Sequence, residues 1–271
     1  MKLSIIGLGF VGNAIYTSLI KNLFSLDNNL FVYDKFKNGG IGSLEECLNT
    51  DIMFLALPTL YNDELKHYDT VAIKETCAIL NQKQYTGTII IKSTVEPETT
   101  ELLSSEYSNL HFIHNPEFLT ARTACEDFHN QTHIVLGKTN NLPQDRLDIV
   151  KKFYSTHYPK AEISICSSTE SESMKIFCNS FYSVKVQFFT ELYLLCNKNG
   201  SSYDTIKDLM IKNNWINPMH TIIPGPDGQV SYGGACFPKD TNALNQYMTQ
   251  YNTPHKVLDA TIVERNELRH D

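Results

Sequence analysis

The stretch KLSIIGLGFVGNAIYTSLI, residues 2–20, carries an apolar run straight into Gly7-x-Gly9-x-x-Gly12. Ala14, Ile15, Leu19 and Ile20 then recur at helical spacing. Strand, glycine turn and helix in that order are what a dinucleotide phosphate site requires. Gly7 makes the tight turn, Gly9 lets backbone approach the pyrophosphate, and Gly12 lets the helix close on the strand. Phe10 and Val11 open that helix, whose free N–H groups and dipole favour phosphate. A second strand, LFVYD at 30–34, ends in Asp34, 22 positions after Gly12, where a carboxylate accepts both ribose hydroxyls. The expectation is a Rossmann-like unit with NAD as cofactor, because a carboxylate repels a 2′-phosphate. Lys35 and Lys37 keep NADP open, and a strand-end turn is the other role open to Asp34.

Outward from this unit, DIMFLALP (51–58), GTIIIKST (87–94), LHFIHNPEF (110–118) and HIVLG (133–137) are short apolar runs bounded by turn residues. Helical patterns lie between several of them, at 43–49, 69–81 and 98–105. The alternation predicts a doubly wound parallel sheet, in which ligands bind beyond the carboxyl ends of the strands. Pro58-Thr59, Ser93-Thr94 and Asn115-Pro116-Glu117 stand at those ends. A mainly helical domain follows, with the division near Cys166: 1–166 for the cofactor domain and 167–271 for the helical one.

The helical half rests on SSTESESMKIFCNSFYSVKVQFFTELYLLCNKNG, residues 167–200, which has no proline and no glycine before Gly200. Met174, Phe177, Phe181, Val184, Phe188, Leu192 and Leu195 form one apolar stripe on a helix of about eight turns. Thr169 and Glu172 have the form of a capping box. A stripe of that length exceeds what so small a domain buries by itself, so a homodimer through this helix is expected. Lys175 and Asn179, four apart, share a face turned away from most of the stripe, where solvated surface residues are the bland reading.

Composition bounds the rest. With 42% hydrophobic and 20% charged residues and no apolar run of membrane length, the chain of 271 residues reads as soluble and globular. Its N-terminal apolar run is interrupted by glycines and does not read as a signal peptide, which places the protein in the cytoplasm with reduced thiols. Seven scattered cysteines without a C-x-x-C fit neither a disulfide framework nor a zinc site, so no metal is expected. A net charge of −7 argues against nucleic acid.

GLGFVG, LALPT, IKSTVEPETT, NPEFLTAR, ESMKIFCNSFYSVKVQFFTEL and GGACFPKDTNAL occur in the order found in the UDP-glucose/GDP-mannose dehydrogenase family, which the sequence resembles over nearly its whole length. The resemblance implies NAD-dependent, four-electron oxidation of a nucleotide sugar's C6 alcohol to a carboxylate, with UDP-glucose favoured. It matches Cys236 to the family nucleophile, Lys175 to the lysine that stabilises an oxyanion, and Asn179 to a donor to the same oxygen. Asp240 matches a residue that orients water or takes a proton, Glu117 a carboxylate that manages protons and water, and Thr94 a threonine that positions water or cofactor. Phe118, Leu119, Tyr232, Gly233 and Gly234 fall in segments that would line the sugar, the glycines by letting backbone lie close to it.

Three departures accompany the match. Family members usually continue into a third, nucleotide-gripping domain, whereas this sequence ends at Asp271, so a short form is expected, with the uridine held by 213–232 or by a second subunit. No arginine stands near KNNWINPMH (212–220), and Glu98 stands where the family commonly has glycine. Two other readings remain at this stage. One is a two-electron hydroxyacid or alcohol dehydrogenase, which does not need Cys236. The other is an NAD-binding protein without turnover.

Overall fold

The computed structural model describes residues 1–22, 24, 28–120 and 122–270. Ala121 of the NPEFLTAR motif and Asp271, the last residue of the expected helical domain, lie outside the described residues.

In chain order the elements are β1 (Leu3–Ile6), α1 (Phe10–Lys21), β2 (Leu30–Asp34), β3 (Ile41–Gly42), α2 (Leu44–Cys47), β4 (Ile52–Leu55), β5 (Tyr61–Asn62), β6 (His67–Tyr68) and α3 (Val71–Gln82). Next come β7 (Thr88–Ile91), α4 (Thr99–Glu106), β8 (His111–His114), α5 (Ala124–His129), β9 (His133–Lys138), α6 (Gln144–His157) and β10 (Glu162–Ser167). The chain ends with α7 (Ser168–Asn199), α8 (Tyr203–Ile211), α9 (Phe237–Gln250) and α10 (Lys256–Leu268). It divides into two compact units, one of residues 1–60 and 68–175, the other of 61–67 and 176–271. Cys166 lies inside β10, and α7 contributes its residues up to Lys175 to the first unit.

The first unit is built on an eight-stranded sheet of order β10-β9-β8-β7-β4-β1-β2-β3. Strands β1, β2, β4, β7 and β8 are mutually parallel, as the strand–helix alternation predicts. The all-parallel expectation fails at the flanks: β9 runs antiparallel to β8, β10 pairs parallel with β9, and β3 turns back on β2. The cause is the connection after β8. It carries only the short α5, which packs against α1, so the chain turns round and re-enters beside β8 in the opposite sense. All four residues of β1, β4 and β7 are buried, so both sheet faces are covered. Successive residues alternate between two cores: Ile5, Phe54 and Ile90 with Phe153 on one face, Ile6, Leu55 and Ile91 with Cys77 on the other.

The second unit packs Val186 and Phe189 of α7 with Tyr203, Ile223 and Tyr232. The long helix is continuous over 32 residues. Its start corrects the expected cap. Ser167 and Glu170 form the reciprocal pair: Ser167 N–H donates to Glu170 Oε2 at 2.8 Å and Glu170 N–H to Ser167 Oγ at 3.2 Å. Because β10 runs directly into α7, the cap falls two residues earlier than Thr169, which lies in the first turn.

Glu172, released from capping, is completely buried, and accepts the Thr100 N–H at the start of α4 at 2.8 Å. Burial pushes its carboxyl up to about 8, against the hydrogen bond from the Thr100 backbone N–H. Glu98 itself precedes α4 at φ 78°, a left-handed conformation that costs a side chain about 1 kcal/mol and suits the glycine expected there.

The raised value has a consequence for stability. The native state holds the Glu172 proton where the unfolded chain has lost it, so this group's contribution is complete below the unfolded value of 4.5 and is lost as pH rises through about 8. Glu172→Gln cannot ionise. Urea titrations at several pH values are expected to show the wild type losing stability relative to this variant between pH 5 and 9; a constant difference would contradict the burial assigned to Glu172.

Candidate active site

The glycine turn is made as its spacing requires. Gly7 has φ 89°, and a Cβ there would lie 2.5 Å from the Ala56 carbonyl oxygen; a Cβ on Gly12 would lie 1.8 Å from that of Gly7. Around Gly9 nothing lies within 4 Å of a Cβ position, so the backbone at the start of α1 is open. It faces a cavity of about 890 Å³ whose walls include Gly9, Phe10, Asp34, Lys37 and Arg122. Asp34 Oδ2 accepts the Leu8 N–H at 2.7 Å, and Oδ1 accepts those of Phe36 at 3.0 Å and Lys37 at 2.9 Å. Burial raises the Asp34 carboxyl, and the three N–H groups with the Lys37 charge outweigh it, leaving it below its ordinary value. A carboxylate has about four acceptor sites, so a ribose hydroxyl can join these donors. An open glycine backbone, a carboxylate at the ribose end and two cations in one cavity fit a dinucleotide.

Val11, Lys35, Pro58, Thr59 and Thr94 do not line this cavity. Lys35 lies over the Phe36 ring at 5.3 Å, while Lys37 points inward and donates to the Leu8 carbonyl at 2.5 Å. Thr59 is buried and donates to the Thr94 carbonyl at 2.7 Å; Ser93 Oγ donates to the Leu57 carbonyl at 2.6 Å. The loops beyond β4 and β7 are thereby tied together. Arg122, the last residue of NPEFLTAR, and Cys125 in α5 also stand on the cavity wall; the sequence gives neither a cofactor role, because both lie more than 80 residues away from Asp34.

Beyond β8, Lys175 donates to the Glu117 carbonyl at 2.6 Å and lies 3.1 Å from Glu117 Oε1, with side chains only 7% and 10% exposed. Its ammonium also sits 5.6 Å from the Phe118 ring, and Glu117 Oε2 accepts the Leu119 N–H at 2.7 Å. Lys92 anchors this turn from below. It is 1% exposed, and donates to Asn115 Oδ1 at 2.9 Å and to the Pro116 carbonyl at 3.3 Å. Burial drives its amine down to about 7, Glu117 opposing and Lys175 assisting. His114, fully buried and bonded to Ser171 Oγ at 2.8 Å, is pushed down to about 3 by burial and by Lys92 and Lys175. It is a neutral side chain at neutral pH.

In the second unit Cys236 is exposed and precedes the first residue of α9. Asp240, one turn on, closes that turn with its N–H on the Cys236 carbonyl at 3.0 Å and is completely buried. Its Oδ2 accepts Asn179 Nδ2 at 2.6 Å and its Oδ1 accepts Lys239 Nζ at 2.6 Å. Asn179 is therefore held, 6% exposed, by the carboxylate beside the thiol loop. Tyr232 is buried, Gly234 is exposed, and Gly233 lies between them in burial.

Comparison with known proteins identifies the two halves of the chain. Residues 41–157 match the NAD-binding domain of the UDP-glucose/GDP-mannose dehydrogenase family, and residues 169–267 match its central domain. The chain belongs to that family. It carries the family's NAD-binding domain, and membership supports NAD-dependent oxidoreductase chemistry on a nucleotide sugar. It is 29% identical to a UDP-glucose 6-dehydrogenase of Campylobacter jejuni over 99% of this chain and 72% of that protein. A UDP-glucose 6-dehydrogenase of Rickettsia felis is 28% identical, and the chain spans 64% of its length. In fold it resembles a UDP-glucose dehydrogenase of Pyrobaculum islandicum, with a TM-score of 0.80 and 21% identity over 98% of this chain and 68% of that one. It also resembles a 3-hydroxyisobutyrate dehydrogenase of Mycobacterium tuberculosis, with a TM-score of 0.70 and 12% identity over 96% of this chain and 91% of that one. Among the described residues no helix is long and apolar enough to cross a membrane, and no group of His, Cys, Asp and Glu could hold a metal ion.

Proposed function

We propose that this protein oxidises the C6 alcohol of UDP-glucose to the carboxylate, through a thiohemiacetal and a thioester on Cys236. The observation that carries the reading is the exposed thiol at the start of α9 with a buried, doubly bonded carboxylate one turn behind it. A two-electron alcohol oxidation has no use for that thiol.

In the proposed sequence the C6 hydroxyl loses its proton and a hydride leaves C6, giving an aldehyde. NAD, when bound, accepts the hydride at each oxidation. Cys236 Sγ adds to the aldehyde carbon, so that a C–S bond forms and the intermediate is tethered. A second hydride leaves the same carbon to give a thioester. Water then adds and the C–S bond breaks, returning the thiol and releasing the carboxylate. Lys175 supplies positive charge to the oxygen that becomes anionic at each stage, and Asn179 a hydrogen bond to it. Asp240, Glu117 and Thr94 orient water and pass protons. Gly7, Gly9, Gly12 and Asp34 hold the dinucleotide, with Lys37 and Arg122 offsetting its charge.

The acting form is a homodimer joined along α7. Phe177, Phe181 and Phe188 are half-exposed or more on that helix, with Val257 on α10. Calorimetric titration of UDP-glucose into the protein loaded with NADH, which cannot accept a hydride, with light scattering on the same sample, tests both parts. Sub-millimolar binding by a species of twice the chain mass is expected. No binding at millimolar sugar nucleotide contradicts the substrate, and a monomer mass contradicts the dimer. The hydroxyacid dehydrogenase alternative draws support only from its shared fold.

A further inference from the structure

The two glycines before the thiol are not equivalent. A Cβ on Gly234 meets nothing within 4 Å, whereas one on Gly233 would lie 2.1 Å from Arg269 Nη2 and 2.2 Å from its Cζ. The space left by the missing side chain at Gly233 is filled by a guanidinium of the protein itself. Arg269, the extended residue that follows α10, is 6% exposed and pairs through Nη2 with Asp227 Oδ2 at 2.5 Å. That hydrogen bond, with the Gln229 N–H, holds the Asp227 carboxyl below its ordinary value. One turn earlier Arg265, 7% exposed, donates Nε to the Tyr232 carbonyl at 3.2 Å. Ser231, the next residue back, is bound to α7 by its Oγ on Gln187 Oε1 at 2.5 Å and its N–H on Thr190 Oγ1 at 3.0 Å. The segment entering Cys236 is thus gripped at Asp227, Ser231, Tyr232 and Gly233, once by an arginine of α10 and once by the arginine that follows it.

We propose that Arg269 is a positioning residue for the Cys236 thiol: its guanidinium, seated in the slot at Gly233, fixes the backbone that aims Sγ at the aldehyde carbon. The inference rests on the reading of Cys236 as the nucleophile. A planar guanidinium fills a flat slot beside backbone and still reaches a carboxylate, which a lysine ammonium cannot do. Nucleophilic addition is sensitive to ångström-scale misplacement, so a loosened loop lowers turnover without touching the cofactor domain.

The test is a double-mutant cycle on the full chain with Gly233→Ala, Arg269→Ala and the double variant. It reads kcat and KM for NADH formation from UDP-glucose, the Kd for NAD, and hydrogen exchange of amides 227–236. Each single variant is expected to lower kcat about tenfold. The Kd for NAD stays at its wild-type value. The double variant is no slower than Arg269→Ala, because the methyl group introduced at position 233 enters space the guanidinium has vacated. Arg269→Lys does not restore kcat. Losses that multiply in the double variant would overturn the proposal and assign Gly233 to the substrate instead. If the wild type itself forms no NADH from UDP-glucose, the proposed oxidation of that sugar fails and exchange still decides the anchor. Equal loss of protection in all three variants supports it, and unchanged protection overturns it.

Discussion

Cys236→Ala is expected to stop net oxidation of UDP-glucose, lowering steady-state NADH formation by at least about 10³-fold. The first hydride transfer does not need the thiol, so a brief burst of NADH, of the order of one per active site, precedes the stall. Without Sγ the aldehyde has no route to a thioester, and return of the hydride to it reverses the first step, so NADH stops accumulating. Because Cys236 is exposed, its loss changes stability by less than about 0.5 kcal/mol, and the Kd for NAD is unchanged. Stopped-flow absorbance against matched urea titrations checks this. Steady-state turnover within tenfold of wild type would remove the thiol from the mechanism.

Lys175→Met is expected to cost both activity and stability, and the two losses separate. Removing a positive charge from a developing oxyanion lowers kcat by about 10²–10³-fold. The same change leaves the Glu117 carboxylate, 10% exposed, without its cation 3.1 Å away, which destabilises the protein by about 3 kcal/mol. Adding Glu117→Gln removes the stranded charge. The double variant therefore regains most of the stability and none of the kcat. If Glu117→Gln restored turnover together with stability, Lys175 would be a structural partner of Glu117 and nothing more.

These residues differ in how far the sequence exposes them. The glycine turn, β1, β2 and α7 depend on neighbours within a few turns of chain, and spacing alone places them. Helix α6 is equally accessible, since Leu147, Val150, Phe153 and Tyr154 sit at helical spacing and are its buried residues. The reversal of β9 is not, because strand direction depends on where the α5 connection packs and leaves no periodic mark. Lys175 and Asn179 read equally well as surface residues until the fold buries them on Glu117 and Asp240. Glu172 fits a capping box by spacing and is instead a buried acid on another helix. Gly233 reads as room for a ligand, and the structure fills that room with Arg269, 36 residues further on. Where a contact joins residues that distant, residue type narrows the chemistry while packing selects the partner.

The most direct test of a thiol-held second oxidation counts electrons. A limiting amount of UDP-glucose is supplied to the protein with NAD in excess, and NADH is measured at completion against the sugar consumed. Two NADH per UDP-glucose are expected, with the carboxylate as product. One NADH per molecule, with an aldehyde or ketone released, would contradict the second oxidation and leave Cys236 without the role assigned to it.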